Sequence, residues 1–154
     1  MTKYAIVFFM SMVPIIELRG AIPYSQMYHL PLLQSYIIAI IGNMLPMPFI
    51  YLFARKVLIW GSNKPITGKF FTWCLEKGEK AGKKLQEKTG EKGMFWALLI
   101  FVAIPAPGTG AWTGTLAASL LDMDFKTSIL AVMLGVLVAG IIMGTASVGL
   151  FSFF

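Results

Sequence analysis

The stretch Pro14-Ile15-Ile16-Glu17-Leu18-Arg19-Gly20-Ala21-Ile22-Pro23 constrains this chain more than any other. It lies between two strongly apolar runs, Tyr4–Val13 and Ala21–Leu33. A charged side chain at the centre of a membrane helix costs about 2.5–3.5 kcal/mol on insertion scales. Proline removes a backbone donor, and glycine permits a sharp reversal. The stretch is therefore expected to turn inside protein or to line a wet cavity, where irregular backbone is tolerated at membrane depth.

The rest of the composition agrees with a membrane setting. The chain of 154 residues is 57% hydrophobic and 13% charged, against about 25% charged for a soluble domain. Twelve of its 20 charged residues fall between Lys64 and Lys92. Ten of the 13 Lys and Arg lie in Arg55–Lys92, so the net charge of +6 reads as a positive-inside bias and not as a nucleic-acid signal. That places residues 55–93 in the cytoplasm, and the protein in the cell's inner (plasma) membrane as a multi-pass chain. The single Cys74 excludes an intramolecular disulfide and a cysteine metal cluster. His29, beside Pro31, reads as an interfacial residue and not as a ligand. The apolar run after Lys3 has a signal-peptide look but no small-x-small cleavage site, so it reads as retained structure.

Tyr4–Ile16 would be a helix of about 20 Å, too short for a hydrocarbon core of about 30 Å. Ala21–Leu30 is shorter still. Two half-length segments around a Gly/Pro break predict a re-entrant hairpin; a single kinked helix from Tyr4 to Tyr28 is the alternative. Leu32–Ala54 has no charge and is long enough to span, with Pro46 and Pro48 breaking its backbone ladder. Its Asn43 either bonds a neighbouring helix or faces the Glu17/Arg19 cavity. In residues 55–93, Phe70, Phe71, Trp73, Cys74 and Leu75 suit a short surface helix. Glu76–Lys92 reads as a solvated, loosely helical connector with a lysine excess that favours anionic headgroups.

The opening plan then recurs. Met94–Ile104 meets Pro105-Ala106-Pro107-Gly108-Thr109-Gly110-Ala111-Trp112-Thr113-Gly114, and the short run Thr115–Leu121 follows. After the polar link Asp122–Lys126 comes a clean span, Ser128–Phe154, with Gly135, Gly140, Gly144 and Gly149. Those glycines permit close helix approach and make a homodimer a natural arrangement. The expected fold is an all-α integral membrane protein, one membrane domain over 1–154. It comprises two inverted repeats (1–54 and 94–154), each a re-entrant helical hairpin followed by a transmembrane helix, joined by the basic loop 55–93. With that loop inside, both termini lie outside. Paired Gly/Pro-interrupted segments at matching places are a pointer to a transporter's binding site.

Each returning segment would present its helix N-terminus at the tip, Gly20–Ile22 in the first hairpin and Thr109–Thr113 in the second. With Arg19 these ends form an anion site, and Glu17 is the titratable partner. The alternative is a permanent Glu17–Arg19 ion pair that only pins the hairpin. The candidate substrate- and proton-binding residues are Glu17, Arg19, Gly20, Asn43, Pro105, Pro107, Gly108, Thr109, Gly110, Trp112 and Thr113. Neither a nucleophile–base pair nor a phosphate-loop motif is present, so no enzyme and no cofactor is expected.

Glu17-Leu18-Arg19-Gly20-Ala21-Ile22-Pro23 together with Ala103–Gly114 resembles the family called putative small multi-drug export proteins. That family is similar to the DedA membrane proteins, which share facing re-entrant hairpins. The resemblance implies proton-linked movement of lipid, notably undecaprenyl phosphate, a polyprenyl phosphate. Glu17 matches the acidic residue of the first DedA hairpin. The second DedA hairpin usually carries arginines; Pro105–Leu121 has none, which leaves Arg19 to supply the charge. A proton-for-cationic-drug exporter and a non-transporting membrane assembly protein are the competing readings.

Overall fold

The computed structural model describes residues 1–106 and 108–153. Seven helices, and no strand, occur among the described residues: α1 (Thr2–Met12), α2 (Glu17–Met27), α3 (Leu32–Met44), α4 (Met47–Ser62), α5 (Gly68–Ala103), α6 (Ala111–Leu120) and α7 (Phe125–Phe151). Two helical stretches, Leu32–Ser62 and Phe125–Phe151, are long and apolar enough to cross a membrane.

α1 and α2 fold back on one another. Lys3 Nζ, at the start of α1, sits 4.9 Å from the ring centre of Tyr28, at the end of α2. A single kinked helix over this region is thereby excluded. The reversal lies at Val13–Ile16, before Gly20 and not at it. Pro14 denies the backbone a donor, and Ile15 and Glu17 take the left-handed region at φ 78° and 48°. Gly20 is an ordinary member of α2; its missing side chain clears Ile16 Cγ2, which an added Cβ would meet at 2.5 Å.

The span expected at Leu32–Ala54 is two helices separated by a turn at Leu45-Pro46, and it runs on to Ser62. Arg55 and Lys56 do not end it, because both are good helix formers. Arg55 instead turns inward to Asp122, with Glu79 Oε1 at 3.2 Å. The expected loosely helical connector is a regular helix. Gly68–Ala103 is continuous helix apart from one break at Gly90, where φ 69° and ψ 179° suit glycine. Its Lys, Glu, Gln and Ala have high helix propensity, and Gly78 and Gly82 pack on the end of α6, so the segment has a face to bury. α6 starts at Ala111, four residues ahead of the expected apolar run. α7 starts at Phe125, capped by Asp124, whose side chain accepts from Thr127 N at 3.0 Å.

Small residues set the packing. A Cβ on Gly42 would meet Ser11 Oγ at 2.2 Å and Phe8 O at 2.5 Å, and one on Gly135 would meet Val102 Cβ at 2.7 Å. Thus α1 lies hard against α3, and the last turns of α5 lie hard against α7, as membrane helices do where small residues let backbones approach. Val7, Leu18, Ile22, Val102, Val132 and Val136 belong to one buried core cluster.

Candidate functional site

The two breaks meet. One residue of α2 reaches each end of the second break. Glu17, 5% exposed, accepts from Ala111 N through Oε2 and from Trp112 N through Oε1, both at 3.1 Å. Those N–H groups open α6, which has no side-chain cap of its own because its N-cap is Gly110. The carboxylate is therefore an N-cap supplied from elsewhere in the chain, on the positive end of the α6 dipole.

Arg19 serves the opposite end. Its Nη2 donates to Ile104 O at 2.9 Å and Val102 O at 3.4 Å, where α5 ends. Nη1 donates to Ala106 O, and Nη2 also to Thr109 O and, at 3.2 Å, to Thr109 Oγ1. The single hydroxyl proton of Thr109 has two carbonyls within reach of Oγ1, Ile104 O at 2.7 Å and Ala106 O at 2.8 Å. A cation thus sits among carbonyls at a helix C-terminus, where the dipole favours it. The exchange is mutual: Trp112 Nε1 donates to Met12 O, in the last turn of α1, at 3.1 Å.

Residues two apart on a helix do not face each other. Glu17 and Arg19 accordingly point to different partners and form no ion pair with each other. Both alternatives for the pair, a mutual salt bridge and a free positive site, give way to a third arrangement. The expected N-terminus at Gly20–Ile22 is corrected as well, since α2 begins at Glu17. Two helix N-termini do not confront an empty cavity; the α6 end is already occupied by Glu17.

A groove of about 620 Å³ lies against this lock. Of the expected site residues, Glu17, Arg19, Gly20, Pro105, Gly108, Gly110, Trp112 and Thr113 line it. Thr109 bonds Arg19 without lining the groove. Pro107 is outside the described residues. Asn43 is buried in α3 away from the groove lining, its Oδ1 without a partner among the described residues. The lining also includes Pro14, Ile15, Ile16, Ala106 and Leu116, which were not expected. Ile15 is 95% exposed, and an apolar residue between Pro14 and the charges at Glu17 and Arg19 was the available sequence signal. Gly110 is required by contact: a Cβ there would lie 2.0 Å from Glu17 Oε2.

The family model described as "Putative small multi-drug export protein" matches residues 17–142, from the groove's carboxylate to the middle of α7. No curated protein and no solved structure matches the chain.

Proposed function

The chain belongs to the small multi-drug export protein family, a membrane protein of the transporter kind, and we propose that it carries an amphiphilic anion across the bilayer. In this reading the α1–α2 pair and the α5–α6 pair are re-entrant hairpins, and the two halves are inverted repeats. The packing supports that reading. α2 lies against α7 and α6 against α4, so each returning helix rests on the other half's span. Each also caps the helix end of the opposite pair.

The observation that carries the proposal is the Glu17 carboxylate seated on two N–H groups beside an open groove. The α6 N-terminus holds an anion now, and helix N-termini accept phosphate by the same N–H groups. A headgroup entering the groove competes with Glu17 for Ala111 N and Trp112 N. A proton taken by Glu17 weakens its hold on both N–H groups and frees them. Substrate entry and proton uptake are coupled in this way, and a polyprenyl phosphate such as undecaprenyl phosphate, moved as in DedA-type translocases, has the required chemistry. The apolar lining of Pro14, Ile15, Ile16 and Leu116 suits its chain.

Reconstituted vesicles test this with fluorescent polyprenyl phosphate and a quaternary-ammonium drug as rival cargoes. Movement of the phosphate is expected to depend on pH in the wild type and to lose that dependence in Glu17→Gln, with normal insertion. Drug movement that strengthens when Arg19 is replaced by Ala would overturn the anion reading and favour the cation exporter.

A further inference from the structure

The cytoplasmic half of α5 has a face that the bundle does not use. Its inner side is settled by contacts. Phe71 covers Gly61, and a Cβ on Gly82 would meet Leu121 O at 2.1 Å. Glu79 pairs with Arg55 at 3.2 Å. At about 100° per residue, Phe70, Trp73, Lys77, Lys80, Lys84 and Lys88 fall on the outer side within a stripe of about 80°. All six are exposed. Phe70 and Trp73 stack at one end with ring centres 6.4 Å apart, and Ile66, in the turn just before, is 93% exposed. Glu76 and Glu87 border the stripe on one flank, where Lys69 and Lys83 match them.

We propose that this stripe docks the protein on the anionic phospholipid face of its own membrane, with Phe70 and Trp73 at headgroup depth and the four lysines over acidic headgroups. Charge complementarity selects the occupant. The two rings at one end of the stripe suit headgroup depth, the lysines along the rest of it meet acidic headgroups, and each basic residue near an anionic surface adds about 1 kcal/mol, roughly a fivefold gain in attraction. The break at Gly90 lets the helix leave the surface there and continue as the arm that ends at Ala103. The inference is independent of what the groove carries.

The test uses the full chain in nanodiscs of mixed phosphatidylcholine and phosphatidylglycerol. One lipid or the other is brominated near the top of its acyl chains. The contribution of Trp73 is the difference in fluorescence quenching between the wild type and Trp73→Phe. Brominated phosphatidylglycerol is expected to quench Trp73 at least about twice as strongly as brominated phosphatidylcholine at equal mole fraction. The preference is expected to vanish at high salt and in Lys77→Gln/Lys80→Gln/Lys84→Gln/Lys88→Gln. Equal quenching by the two lipids in the wild type, as when another protein covers the stripe, overturns the proposal. So does a preference that survives either treatment.

Discussion

Gly110→Ala isolates the contact on which the whole site turns. The backbone of Gly110, at φ −99° and ψ −173°, is one that alanine adopts freely. Any cost must therefore come from the new methyl. That methyl would lie 2.0 Å from Glu17 Oε2 and 2.4 Å from Cδ, so the carboxylate must leave. With it go the two hydrogen bonds to Ala111 N and Trp112 N. Hydrogen bonds to a charged group contribute about 1.5–3 kcal/mol each. Two of them, with some recovery by water from the groove, give an expected loss of about 3 kcal/mol, or about 6–12 °C in melting temperature for a chain of this size. Thermal unfolding in detergent measures it. The decisive arm is the same substitution in a Glu17→Ala background. There the three atoms nearest the methyl are gone, and the added cost should fall below about 0.5 kcal/mol or turn into a small gain from a stiffer unfolded chain. Equal costs of Gly110→Ala with and without Glu17 would refute the claim that this glycine exists to admit the carboxylate.

Other outcomes follow from the same geometry. Ile15→Gly should raise the melting temperature, by about 1 kcal/mol of relieved strain less glycine's added unfolded-state entropy; a lowered melting temperature would mean that the tip is not strained. Arg19→Lys should unfold earlier than wild type, because one ammonium cannot reach Val102, Ile104, Ala106 and Thr109 carbonyls together; an unchanged melting temperature counts against the capping role. Reporter fusions should place both termini outside and Cys74 within reach of a cytoplasmic thiol reagent; a cytoplasmic C-terminus would sink the inverted-repeat proposal. The backbone N–H of Thr127 holds the Asp124 carboxyl below its ordinary range. Its capping contribution is present above the unfolded-state value and disappears as pH falls through the folded one. The stability gap between wild type and Asp124→Ala should therefore be open at neutral pH and close in acid, as pH-series unfolding curves can register.

The sequence and the fold part company where a partner comes from far along the chain. The two breaks were legible, because Pro14 and Pro105 act locally: α1 stops at Met12 and α5 at Ala103, close to where the prolines demand. The two long apolar stretches were legible from hydropathy, although the first is two helices, α3 and α4, and ends later than its charge-free run. The regularity of the helix over Glu76–Thr89 was less legible, since Gly78 and Gly82 among charges read as loosely helical until both are seen lying on Leu120 and Leu121. The site split the same way. Glu17 and Arg19 stood out because charge in apolar sequence is costly, and eight of the expected residues do share one groove. What each charge does was hidden. α6 lacks a local cap, and α5 ends in orphan carbonyls, so each end looks vacant from its own neighbourhood. Their caps sit 94 and 85 residues away in Glu17 and Arg19. A vacant helix end and a buried charge are each expensive alone, and the fold pairs them: carboxylate with the N–H end, guanidinium with the carbonyl end. For transport this matters more than a free positive site would. On the proposed anion-carrying reading, a substrate gains the α6 end by taking the place of the Glu17 carboxylate, so occupancy by substrate and release of the tip lock are one event.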